Sequence, residues 1–140
     1  MSPESTPSAR NFDEPKLEAL IEMMVLAADS DGDLGDEERK HLCASIESLT
    51  DMHASGDKLE RLVSRLTAEL KASGRPKRLA SLKARLVDPA ERKVALSLAI
   101  QVVASDGIIR TSERELLLEV AEALEIDRDE AADLVKKLTR

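Results

Sequence analysis

Carboxylates crowd one short stretch of this chain. Asp29, Asp31, Asp33, Asp36 and Glu38 fall in the run Ala27-Ala28-Asp29-Ser30-Asp31-Gly32-Asp33-Leu34-Gly35-Asp36-Glu37-Glu38. A dense set of oxygen donors without nitrogen or sulfur suits a hard divalent cation, Ca²⁺ or Mg²⁺. The run fits the calcium loop of an EF-hand at most places. Asp29 and Asp31 take its third and fifth positions, Gly32 the sharp bend, Leu34 the apolar eighth and Glu38 the closing position. Ala27 stands where the opening aspartate belongs, so the loop is one charged ligand short. A second reading needs no metal. Asp-Gly makes a tight turn because glycine accepts positive φ and aspartate bonds neighbouring amides, and Glu38 then serves the positively polarised start of the next helix.

The same phrase returns seventy-five residues later. Ser105-Asp106-Gly107-Ile108-Ile109 with Glu113-Arg114 repeats Ser30-Asp31-Gly32-Asp33-Leu34 with Glu38-Arg39. The second copy keeps only Asp106 and Glu113 of the acidic set, with Val102, Ala104, Ile108 and Arg110 elsewhere. It reads as turn and cap, and the charge asymmetry between the copies is the leading functional clue.

Other chemistry-bearing residues are sparse. Glu38-x-x-His41 has the spacing of a di-iron ligand pair, but such sites need two pairs, and the repeat partner of His41 is Leu116. His53 stands alone in a predicted loop. The single cysteine, Cys43, lies on a helical pattern and reads as a packed thiol. Nothing assembles a nucleophile, base and orienting acid. Lys71, Arg75, Lys77, Arg78, Lys83 and Arg85 form a basic run without an acid. It is either a solvated face or a partner-binding surface. Set against the acidic turn it makes the molecule dipolar, and such complementary faces orient protein partners.

The elements that position these groups are helices. Asp13-Glu14-Pro15 starts a helix with Leu17, Leu20, Ile21, Met24, Val25 and Ala28 on one face. A second runs from Asp36 with Leu42, Cys43, Ile46 and Leu49 inward. Asp57 with Glu60 is the expected cap pair of a third, ended by Ser73-Gly74-Arg75-Pro76. A shorter piece carries Leu79, Leu82 and Leu86. Asp88-Pro89-Ala90-Glu91 starts a helix that is apolar on nearly every side, which predicts a central position. Ser112-x-x-Glu115 is the expected capping box of the next, and a last helix spans 127–138. No stretch alternates with period two. The expectation is an all-α, compact pseudo-twofold bundle of about six to seven helices built from two helix-turn-helix repeats. Residues 1–12 are read as a disordered segment and 13–140 as one domain.

Composition narrows the function. Phe12 is the only aromatic residue, which disfavours sites that stack bases or flavins. The net charge of −7 disfavours nucleic-acid binding. No signal peptide or membrane-spanning run is present, so a cytoplasmic protein is expected.

The two motifs, Ala27 to Leu34 with Glu38 and Val102 to Ile109 with Glu113, Leu117, Ala121 and Leu124, resemble the TerB-like family of helical proteins associated with tellurite resistance. The resemblance covers most of residues 14–138. It implies a pseudo-symmetric helical domain of the bacterial cytoplasm, a link to stress and to metal binding, and no established reaction. Its acidic turn residues correspond to Asp31, Glu38, Asp106 and Glu113, while Ala104 opposite Asp29 departs from a symmetric pair of metal sites. The resulting expectation is a non-enzymatic stress-response module, monomeric or weakly dimeric. It docks with other proteins, membrane-associated stress proteins among them, and a divalent cation binds at the first turn. The alternative is a degenerate EF-hand-like calcium sensor or buffer.

Overall fold

The computed structural model describes residues 14–29, 34–104 and 109–138. The expected disordered segment, and the turn residues Asp31, Asp33 and Asp106, lie outside them. Among the described residues there are seven helices and no strand: α1 (Glu14–Ala28), α2 (Asp36–Leu49), α3 (Gly56–Ser73), α4 (Arg75–Arg85), α5 (Pro89–Val103), α6 (Thr111–Ala123) and α7 (Arg128–Leu138). The all-α architecture expected from the helical periodicity is the one observed.

Two helices form the middle. α5 buries Leu96, Ala99, Ile100 and Val103 and packs on α1 in the most extensive helix pair of the molecule. α1 contributes more than the single apolar face expected of it, since every residue from Ala19 to Ala27 is buried. The reason is that α1 is touched by α2, α3, α4 and α6 as well as by α5. Around this axis the contacts follow one scheme: α1 packs on α2 and α3, α2 on α3, while α5 packs on α6 and α7, and α6 on α7. α4 stands apart from that scheme and bridges α1, α3 and α6.

Helix boundaries follow local chemistry. At α5, Asp88 Oδ1 accepts from Ala90 N at 2.9 Å and Pro89 occupies the first turn, as its sequence predicts. Asp127 Oδ2 accepts from the Asp129 and Glu130 amides at 3.1 and 3.2 Å and starts α7. Gly74, at φ +90, breaks α3 from α4 in a conformation that glycine tolerates best. Two caps differ from expectation. α3 begins at Gly56 behind Ser55, so Asp57 lies in its first turn and is not its cap. α6 begins at Thr111, and its terminal amide is served by Glu113, not by a Ser112–Glu115 box. Each helix starts earlier than predicted because a backbone amide just upstream already has a carboxylate partner. For α3 that partner is Glu47 Oε2, which accepts from Gly56 N at 3.1 Å.

Candidate functional site

The described backbone on either side of the two Asp-Gly bends matches. The chain leaves α1 with Asp29 N–H donating to the Val25 carbonyl at 3.0 Å, and leaves α5 with Ala104 N–H donating to the Ile100 carbonyl. It enters α2 at Gly35 (φ −74, ψ 177) and α6 at Arg110 (φ −78, ψ 163). Glu38 Oε1 accepts from Gly35 N at 2.7 Å, and Glu113 Oε1 accepts from Arg110 N at 2.8 Å. The first α-helical bonds, Arg39 N to Gly35 O at 2.8 Å and Arg114 N to Arg110 O at 2.9 Å, match too.

The likeness extends to the far ends of α2 and α6. Met52 N–H donates to Glu47 O and Asp51 N–H to Ser48 O. Ile126 N–H donates to Ala121 O and Glu125 N–H to Glu122 O. Both are the Schellman closure. In each, a non-glycine residue takes the left-handed position, Asp51 at φ 56 and Glu125 at φ 59.

What differs is charge. Asp29 is buried, 7% exposed, at the position that Ala104 holds in the second copy. Asp36 stands exposed on the first turn of α2, where α6 has Thr111. Glu38 keeps one carboxylate oxygen beyond the one bonded to Gly35. These oxygen donors are of the kind Ca²⁺ and Mg²⁺ take. Ala27, the residue at the opening loop position, is buried in the core and supplies no ligand. Among the described residues no group of three or more His, Cys, Asp or Glu side chains is gathered as a metal would require. Asp31 and Asp33, the remaining members of the acidic set, lie outside those residues.

The basic run turns largely inward. Glu22, in the middle of α1 and 2% exposed, receives Arg78 Nε at 2.6 Å and Arg78 Nη2 at 3.0 Å, together with Arg85 Nη2. Arg75 pairs with Glu119 at 2.8 Å and Lys83 with Glu125 at 2.7 Å. Lys71 and Lys77 are exposed. The run therefore clamps α4 onto α1 and α6. Reading α4 by charge alone missed this cluster. Its signal is a glutamate at position 22 between Ile21 and Met23, in a helix otherwise apolar there, followed by arginines with no acid of their own.

A second arginine device is invisible to motif reading. Arg92 of α5 donates to Leu86 O, to Lys83 O at 3.1 Å and to Leu124 O at 3.2 Å. It satisfies carbonyls at the carboxyl ends of α4 and α6, where positive charge is favoured.

The lone thiol is chemically quiet. Cys43 is buried, and burial first, then the nearby Glu60 and Glu47 carboxylates, push its pKa above the ordinary thiol value. The thiolate is the reactive form. His41 and His53 are both exposed, and His53 Nδ1 lies 3.1 Å from the Thr50 carbonyl. Among the described residues no helix is long and apolar enough to cross a membrane.

A comparison with curated proteins finds no match, nor does one with solved structures. A family model described as tellurite resistance protein TerB matches residues 17–136, from the first core leucine of α1 into the last turn of α7. With that span and this helical architecture, the chain belongs to the TerB family.

Proposed function

We propose that this tellurite-resistance-associated domain is a non-enzymatic, cytoplasmic docking module, and that a divalent cation at the first Asp-Gly bend gates its docking to other proteins, membrane-associated stress proteins among them. The observation that carries the cation reading is the pairing of like flanking backbones with unlike charge. Where α5 ends in Ala104, α1 ends in the buried Asp29, and Asp36 and Glu38 flank the same bend. Asp29, Asp31, Asp33, Asp36 and the outer oxygen of Glu38 would hold the ion, Ca²⁺ or Mg²⁺, and the ion would supply positive charge to an acidic corner. Docking without catalysis is supported by the burial of the lone thiol, which pushes its pKa away from the reactive thiolate.

The calcium-sensor alternative has less support. Ala27 is packed in the core at the opening position, and Glu38, the closing ligand of such a loop, already caps α2. A sensor needs that closing glutamate bidentate.

Calorimetry with Ca²⁺, Mg²⁺, Mn²⁺ and Zn²⁺ tests the cation reading. One of these ions binds the native protein, and Asp31→Asn with Glu38→Gln weakens it by about tenfold or more, as expected for losing two charged ligands. Glutamine keeps an acceptor for Gly35 N, so loss of binding cannot be blamed on an uncapped helix. The matching pair Asp106→Asn with Glu113→Gln leaves binding unchanged. Absence of heat with all four ions overturns the cation reading.

A further inference from the structure

We propose that the groove between α6 and α7 is the docking site for a basic amphipathic segment of a partner protein. The proposal rests on the docking reading above and names the surface and the chemistry it would use. The groove encloses about 510 Å³ and is floored by Ala121, Ile126 and Ala131. Leu118, 37% exposed, stands at its edge as one of few large apolar side chains left in water. Glu115, Glu119 and Glu122 line the same groove, with Arg128 the one basic residue in its lining. They recur at spacings of four and three, so they form one stripe along α6 beside Leu118.

Charge selects the occupant. From Thr111 to Leu138, across α6 and α7, nine carboxylates stand with four basic residues, a surplus of five out of the chain's net −7. Most of the molecule's net acidity therefore resides in this one hairpin. Like charges at helical spacings of three and four destabilise a helix, and the stripe persists against that penalty. Glu119 pairs with Arg75, while Glu115 and Glu122 are exposed and in no ion pair among the described residues. A partner with a leucine-sized side chain for the floor and lysines or arginines flanking it meets both features. Acidic headgroups and nucleic-acid phosphates are repelled by the same rim. A helix laid into an apolar groove is a recurrent mode of recognition, and opposed charges fix its register.

Fluorescence anisotropy with a labelled amphipathic Leu/Lys peptide tests this. The control is a peptide of the same composition with its leucines scattered around the helix. The native protein binds the amphipathic peptide about tenfold more tightly than the control, and Leu118→Ser or the pair Glu115→Lys, Glu122→Lys each weaken it about tenfold, as hot-spot losses do. These side chains are exposed, and circular dichroism checks that the variants fold. Binding that persists in the groove variants but falls with Asp31→Asn and Glu38→Gln overturns the groove and leaves the docking reading standing. No binding of either peptide overturns both. Self-association of the native protein that Leu118→Ser abolishes makes a second copy the occupant and overturns the basic partner.

Discussion

Carboxylates in this protein differ by what surrounds them, and Glu22 is the extreme case. It lies in the core of α1 with two guanidinium groups delivered by α4. Removing one partner of a buried pair strands the others, which costs about 3 kcal/mol or more. Glu22→Ala is therefore expected to lower unfolding free energy by about 3 kcal/mol in urea titration. Arg78→Ala costs less, because Arg85 still reaches Glu22. Glu38 and Glu113 have the milder task of bonding a helix-start amide. Their alanine variants each lose about 1 kcal/mol and their glutamine variants well under half of that, and equal losses at the two sites are the residue-level signature of matching bends. At the surface, Lys83 donates to Glu125 and holds its carboxyl below the ordinary value. That pairing stabilises the fold above the ordinary carboxyl pKa and fades as pH falls through the lowered one. Lys83→Met is expected to move the Glu125 titration upward in an NMR pH series. The Cys43 thiol, buried and raised, is expected to react with thiol reagents more slowly than a free cysteine, as a thiol-labelling time course would show.

The helices were legible in the sequence wherever a start signal and an apolar stripe coincide. Asp88-Pro89-Ala90-Glu91 predicts the start of α5, and the near absence of polar residues beyond it predicts its central place. Caps were legible where the capping side chain belongs to the residue at the boundary itself, as Asp88 does at α5. Ser55 starts α3 and Arg110 starts α6 because Glu47 and Glu113 meet the amides there, and the Glu47 contact spans nine residues of chain. The burial of α1 was underread for a related reason: Glu22 looks solvent-bound until the arginines that neutralise it arrive from α4. Arg92 belongs to the same class of long-range partner. Its bonds to carbonyls of both α4 and α6 predict that Arg92→Met lowers stability by about 2 kcal/mol, measured by thermal or urea unfolding, since those carbonyls lose a charged donor. The turn after α2 carries a cost that can be relieved. Met52 sits at φ 65 with an exposed side chain, so Met52→Gly is expected to raise stability by about 0.5 kcal/mol, the relief of left-handed strain less the added chain entropy.

At the scale of the molecule, the acidic stretch and its echo were visible in the sequence as a repeated phrase, and the structure adds matching caps at both ends of the following helices. These matches support an internal duplication in which α1, α2 and α3 correspond to α5, α6 and α7, with α4 as the element between them. The surface charge was harder to read. The basic run reads in sequence as a solvated face or a partner-binding surface, yet Arg75, Arg78, Lys83 and Arg85 bind acids on α1, on α6 and in the turn after α6, which a linear count of charges does not reveal. The central claim is that two Asp-Gly bends with matching flanks have diverged in charge, leaving cation affinity at the first alone. Paramagnetic broadening by Mn²⁺ tests it within a single molecule, because the second bend is the internal control. Substoichiometric Mn²⁺ added to the ¹⁵N-labelled protein is predicted to broaden the amides of Asp29 and Gly35 to Glu38 while those of Ala104 and Arg110 to Glu113 stay sharp. Equal broadening at both bends, or none at either, would contradict the account.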